Sequence, residues 1–139
     1  MIDALASTQH LAVVSDFDGT LAGFARGPYD VTPEQRSLDA LAALSQLPHT
    51  TVAVLSGRHL DGLKRVCPLR EPVLMGGSHG AESSWEASAL TPDMEAHLAT
   101  KEAEIKDIIA RHPGAELEVK PFQRVLHLRA LELEDPAAA

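Results

Sequence analysis

A chain of 139 residues, 45% of them hydrophobic, has the length of one ordinary domain and enough apolar material for a core. Its formal charge of −8 argues against nucleic acid and against an anionic membrane surface as partners. The single Cys67 excludes an internal disulfide framework, no basic-then-apolar leader opens the sequence, and no apolar run approaches the ~20 residues of a membrane span, so a cytoplasmic protein is expected.

The stretch Leu11 to Leu21 reads as an apolar strand that runs into two carboxylates, a glycine and a hydroxyl. Leu11, Val13 and Val14 suit a central parallel strand buried on both faces, and ligands of open α/β sheets bind at the carboxyl ends of such strands. Asp16 and Asp18 are two apart, so in extended chain they point to one side while Phe17 turns into apolar packing. Two adjacent carboxylates repel, and a hard cation such as Mg²⁺, held by them and by substrate phosphate oxygens, removes that cost. Asp16 and Asp18 are therefore the candidate metal ligands. Gly19 lets the chain leave the strand, and Thr20 offers a hydroxyl at the same spot.

Residues 22–30 read as a loop or small flap. Thr32 and Pro33 predict a helix start, as N-cap and first helical residue, with Leu38, Leu41, Leu44 and Leu47 forming an apolar stripe before Pro48. Thr51 to Leu55 is a second strand, followed by Ser56-Gly57-Arg58 and a helix near 59–66, a strand-to-helix turn that offers backbone N–H groups to an anion. Val73 to Met75 is a third strand, closing into Gly76-Gly77-Ser78-His79-Gly80-Ala81-Glu82. Three such units predict a Rossmann-like, three-layer α/β core with a parallel sheet.

Beyond Trp85 the texture changes. Thr91 and Pro92 open a helix that runs to Arg111 with Leu98, Ile105, Ile108 and Ile109 on one face, and Pro113-Gly114 stops it. Two extended segments follow, Leu117 to Val119 and Val125 to Leu128, with Pro121 between them. A boundary is expected near residue 86, dividing a core over 1–86 from an α+β module over 87–139. Glu118 and Lys120 alternate with Leu117 and Val119, and His127 and Arg129 repeat the arrangement on the next strand, so polar groups share one face of a ribbon while the apolar groups pack on the other. A solvated strand face is one reading of this pattern, and a surface for the many hydroxyls of a sugar is the other.

Asp-Phe-Asp-Gly-Thr-Leu resembles the first signature of the haloacid dehalogenase superfamily of aspartate-nucleophile phosphotransferases, and Leu-Ser-Gly-Arg resembles the second. The resemblance implies that Asp16 attacks phosphorus to form an aspartyl-phosphate, that Asp18 protonates the leaving alcohol and later activates water, and that Mg²⁺ bridges Asp16 and the phosphoryl group. It gives phosphate-binding roles to Thr20, Ser56, Gly57 and Arg58. Together with Gly-Ser-His-Gly-Ala-Glu, Glu-Val-Lys-Pro-Phe and His-Leu-Arg, in this order, the motifs look like those of trehalose-phosphatases. That narrower resemblance implies hydrolysis of trehalose 6-phosphate, with sugar recognition by Glu118 and Lys120; His127 and Arg129, by their shared strand face, and His79, by its place in the glycine-rich loop, are further candidates for substrate binding.

Members of that family continue to a lysine that steadies the aspartyl-phosphate and to an acidic loop that completes the magnesium site. Neither is found in this sequence, so the expectation is an incomplete haloacid dehalogenase-like core with part of a cap. Its first strand then becomes a sheet edge at which association is possible. A phosphatase for another sugar phosphate, or a non-catalytic phosphosugar-binding remnant, are the alternative readings.

Overall fold

Strands β1 (Leu11–Asp16), β2 (Thr50–Leu55) and β3 (Leu74–Gly77) pair in parallel in that order, and a two-residue strand, β4 (Glu82–Ser83), runs antiparallel to β3. The computed structural model describes residue 5, residues 7–25 and residues 27–128; Arg129 lies outside the described residues. The chain divides into two units, Met1–Ser88 and Ala89–Ala139.

The sheet is mixed, where the sequence predicted parallel strands only. The reversal occurs at Ser78–Gly80, where Ser78, His79 and Gly80 all take positive φ and turn the chain back along β3. Residues in register share a face, so Val13, Val52, Val54 and Met75 line one side of the sheet. Onto that side pack α1 (Gln35–Leu44), through Leu38 and Leu41, and α2 (Leu60–Val66), through Leu63, with Phe17, Cys67, Leu69 and Val73 completing one buried cluster.

The opposite side, with Ala12, Val14, Thr51 and Leu55, stays open, and Val14 is 58% exposed. The expectations of three layers and of a β1 buried on both faces are thus corrected: the described residues of this unit form two layers. Among them β1 has a neighbour on one side only, the sheet edge expected of an incomplete core. The cause is connectivity. Two successive right-handed crossovers that step in the same direction along a sheet put both helices on the same face.

α1 begins later than Thr32 and Pro33 predicted. Pro33 is held in an antiparallel bridge to Ala22, and the Glu34 N–H donates to the Leu21 carbonyl at 2.8 Å. Glu34 is the cap instead: its carboxylate accepts the Ser37 N–H at 2.7 Å, which holds its pKa below the usual range. Leu47 falls beyond the helix and is exposed.

In the second unit, α3 (Pro92–Arg111) starts at Thr91, whose hydroxyl accepts the Met94 N–H at 3.3 Å, and Gly114 supplies the positive φ just beyond its end. Strands β5 (Glu116–Lys120) and β6 (Gln123–His127) form an antiparallel ribbon against which α3 packs. Leu98, Ile105, Ile108 and Ile109 are half-buried, and Arg124 reaches Glu102 on the helix at 2.8 Å. Val119, expected to pack, is 56% exposed: it stands opposite Arg124 in the ribbon, and the place beside the helix at Glu102 goes to the arginine.

Candidate active site

Asp16 is the last residue of β1, and Phe17, fully buried, anchors the chain immediately after it. The Phe17 carbonyl accepts the N–H groups of Thr20, Leu21 and Ala22, while the Gly19 N–H, at a φ of 82°, donates to Ala22 at 2.7 Å. This knot carries Thr20 back over the strand end, where its hydroxyl donates to Asp16 Oδ2 at 3.2 Å. Asp16 has no cation within ion-pairing distance among the described residues.

Asp18 has different company. The Arg58 guanidinium grips its carboxylate with two bonds, Nε to Oδ2 at 2.8 Å and an Nη to Oδ1 at 2.7 Å, and the Ser56 hydroxyl lies 3.4 Å from Oδ2. Ser56 is buried at the end of β2, and its Oγ also accepts the Arg58 N–H at 3.1 Å. Arg58 makes a further bond to the Pro28 carbonyl and sits 5.7 Å from the Phe17 ring centre.

The loop after β3 closes on the same place. The His79 N–H donates to the Ser56 carbonyl at 3.0 Å and the Ser78 N–H to the Arg58 carbonyl at 2.6 Å. A Cβ on Gly57 would come within 2.6 Å of the His79 ring, so a side chain there would displace that ring. The carboxyl ends of three parallel strands thus bring Asp16, Asp18, Thr20, Ser56, Gly57, Arg58 and His79 into one neighbourhood.

Two participants were given no role from the sequence. Glu82 accepts the Leu60 N–H at 3.2 Å and a bond from the Ser78 hydroxyl, and the His59 ring accepts the Gly62 N–H at 3.1 Å, so both satisfy the start of α2. The amides of Ser56 and Arg58, expected to face an anion, are bonded to the Gly76 carbonyl and to Ser56 Oγ. His59 could have been found from its place just ahead of the helix. Glu82 is 22 residues from its partner and left no local signal.

Among the described residues no three His, Cys, Asp or Glu side chains gather as a ready-made metal cage. Magnesium, however, is commonly held by one or two carboxylates plus substrate oxygens. The Asp16 carboxylate fits that role, and the Asp18 carboxylate beside it is paired with Arg58.

In the second unit, Glu118 Oε2 takes His127 Nε2 at 2.9 Å and lies 3.5 Å from Lys120 Nζ. Partial burial pushes the Glu118 carboxyl up, but the bond to His127 and the charge of Lys120 outweigh it and hold it below the usual range.

A profile of the trehalose-phosphatase family matches residues 14–138. The chain belongs to this family. Its trehalose-phosphatase relatives include the trehalose-6-phosphate phosphatase of Escherichia coli, 34% identical over 126 residues that make up 82% of this chain and 43% of that protein. The trehalose-phosphate phosphatase of Mycolicibacterium paratuberculosis is 35% identical over 137 residues, 91% of this chain and 33% of that one. In fold the chain resembles the C-terminal domain of Candida albicans trehalose-6-phosphate phosphatase, with a TM-score of 0.73 and 21% identity over 93% of this chain and 46% of the solved one. The chain therefore spans less than half the length of these trehalose-phosphatases.

Proposed function

We propose that this chain carries the nucleophile-bearing part of a phosphatase that hydrolyses trehalose 6-phosphate by way of an aspartyl-phosphate, on a haloacid dehalogenase-like core with a sugar-recognising cap. The observation that carries the reading is the unequal company of two neighbouring carboxylates. Among the described residues Asp16 meets a hydroxyl and no cation, while Asp18 is oriented by a cation and a buried serine.

In the first step an Asp16 oxygen bonds to phosphorus, the bond from phosphorus to the sugar oxygen breaks, and Asp18 gives its proton to that oxygen as trehalose leaves. In the second, Asp18 takes a proton from a water that attacks phosphorus, and the bond to Asp16 breaks to release phosphate. The hydroxyl of Thr20 can turn to hold a phosphoryl oxygen. Asp16 would hold Mg²⁺ together with phosphoryl oxygens, and the ion when bound would supply positive charge beside the phosphoryl group.

Sugar recognition falls to the ribbon. Glu118 accepts, Lys120 donates and His127 can do either, which matches hydroxyl groups that are both donors and acceptors. His79, from its place in the glycine-rich loop, and Arg129, from its place on the strand face, belong to the same proposed set.

The test is to quench turnover of trehalose 6-phosphate in acid and map the phosphoryl group by peptide mass spectrometry. It is expected on Asp16 and absent from Asp16→Asn. Label on another side chain, or turnover by Asp16→Asn, overturns the proposal.

A further inference from the structure

Arg58 resembles a phosphate ligand by its place in the motif, yet each of its three guanidinium nitrogens already donates a bond within the first unit. Nε and one Nη close a fork on Asp18, the other Nη donates to the Pro28 carbonyl, and the side chain stands over the Phe17 ring. Its own N–H is tied to Ser56 Oγ. The side chain is 15% exposed, and Phe17 beneath it belongs to the packed core, so the arginine is held from several sides at once.

We infer that Arg58 is a positioning residue, which fixes the plane of the Asp18 carboxylate and leaves Oδ1 as the oxygen that carries the catalytic proton. The inference rests on the phosphatase reading above and deepens it. A carboxylate has about four lone-pair sites, two on each oxygen. Oδ2 of Asp18 faces two donors, Arg58 Nε and Ser56 Oγ, which fill both of its sites. Among the described residues Oδ1 faces one, the Arg58 Nη at 2.7 Å, and keeps the other site open. A fork of two parallel bonds prevents rotation about the last torsion of Asp18, so the open site points in a fixed direction, as proton transfer to a sugar oxygen demands. The bond to Pro28 extends the same grip to the 27–30 turn, so that turn and general acid are registered to one side chain.

The experiment compares trehalose 6-phosphate, whose leaving alkoxide needs a proton, with p-nitrophenyl phosphate, whose leaving phenolate does not. It uses whichever form releases phosphate, the chain itself or a longer protein that contains it. In Arg58→Ala the pre-steady-state burst of nitrophenol should stay within about threefold of the parent. Turnover of trehalose 6-phosphate should fall by roughly 100-fold, the low end of what a well-placed general acid contributes, with KM for both substrates little changed. Arg58→Lys keeps the stem and charge but cannot form the fork, so it should share the selective loss; it also serves as the comparison should Arg58→Ala fail to fold. A tenfold or greater rise in KM for both substrates, with the burst lost as well, would make Arg58 a phosphate ligand and overturn the inference. So would full rescue by lysine. Phosphate release by Asp16→Asn, or from neither substrate by any form, overturns the underlying phosphatase reading instead.

Discussion

The unit that holds Asp16 and the unit that holds Glu118 keep their charged groups in place by different means. In the first, Arg58 and Asp18 stand on a buried cluster that includes Phe17, Leu63, Val52 and Val54, and interiors packed to that density resist displacement of even a methylene. In the second, α3 has no buried residue, and its hold on the ribbon comes from half-buried aliphatic groups and from Glu102, shared between Lys106 and Arg124. Chemistry that fails if an atom moves by an ångström belongs on the first kind of support. Recognition of a flexible, hydroxylated ligand tolerates the second.

The sharpest way to break this comparison is to attack the first unit's chemistry. Asp16→Asn should abolish turnover, by on the order of 10⁴-fold or more, with no loss of fold by circular dichroism. Next comes packing: Leu63→Ala, at a fully buried site, should cost about 2–5 kcal/mol in urea denaturation, while Ile105→Ala on the half-buried face of α3 should cost less. Equal costs would mean that the second unit is as tightly built as the first. For recognition, Glu118→Ala or Lys120→Ala should weaken use of trehalose 6-phosphate by roughly tenfold while sparing p-nitrophenyl phosphate, which lacks the sugar. A parallel loss on both substrates would assign the ribbon a structural role.

The smallest effect concerns pH. The Glu118 and Glu102 carboxyls are held below their ordinary value of 4.5 by His127 and Lys120, and by Lys106 and Arg124, respectively. A depressed folded value means that the stabilisation is present above pH 4.5 and is lost as pH falls through the lowered value. Between pH 6 and 3, amide protection in α3, corrected for intrinsic exchange, should therefore fall relative to β2. Half a molar salt at pH 7 should act in the same direction, because these groups are partly solvated.

The sequence was most legible where signals are local. Thr91, Pro92 and Pro113-Gly114 gave both ends of α3, and the alternation of apolar runs with helical stripes gave β1, β2, β3 and the helices between them. It was least legible where distant segments meet. Thr32-Pro33 is a sound helix start that a bridge to Ala22 overrules, and Ser78 and His79 adopt a left-handed backbone that neither residue type advertises. At the site, the carboxylates and the Ser56-Gly57-Arg58 turn could be found from spacing, but the pairing of Arg58 with Asp18 spans forty positions and hides behind a motif that looks made for phosphate.

Cys67 lies in the floor between α2 and the sheet, fully buried, with its thiol pushed above the ordinary range by that burial. A thiol in this setting is inert until the surrounding structure opens, so its reaction with a colorimetric disulfide reagent is a clock for breathing of α2 away from β2 and β3. When opening and reclosing are fast, the labelling rate is the opening equilibrium multiplied by the rate for an exposed thiol. One native atom therefore reports the looseness of the support on which Arg58 and Asp18 rest: Leu63→Ala should speed the clock, and Glu118→Ala should leave it unchanged.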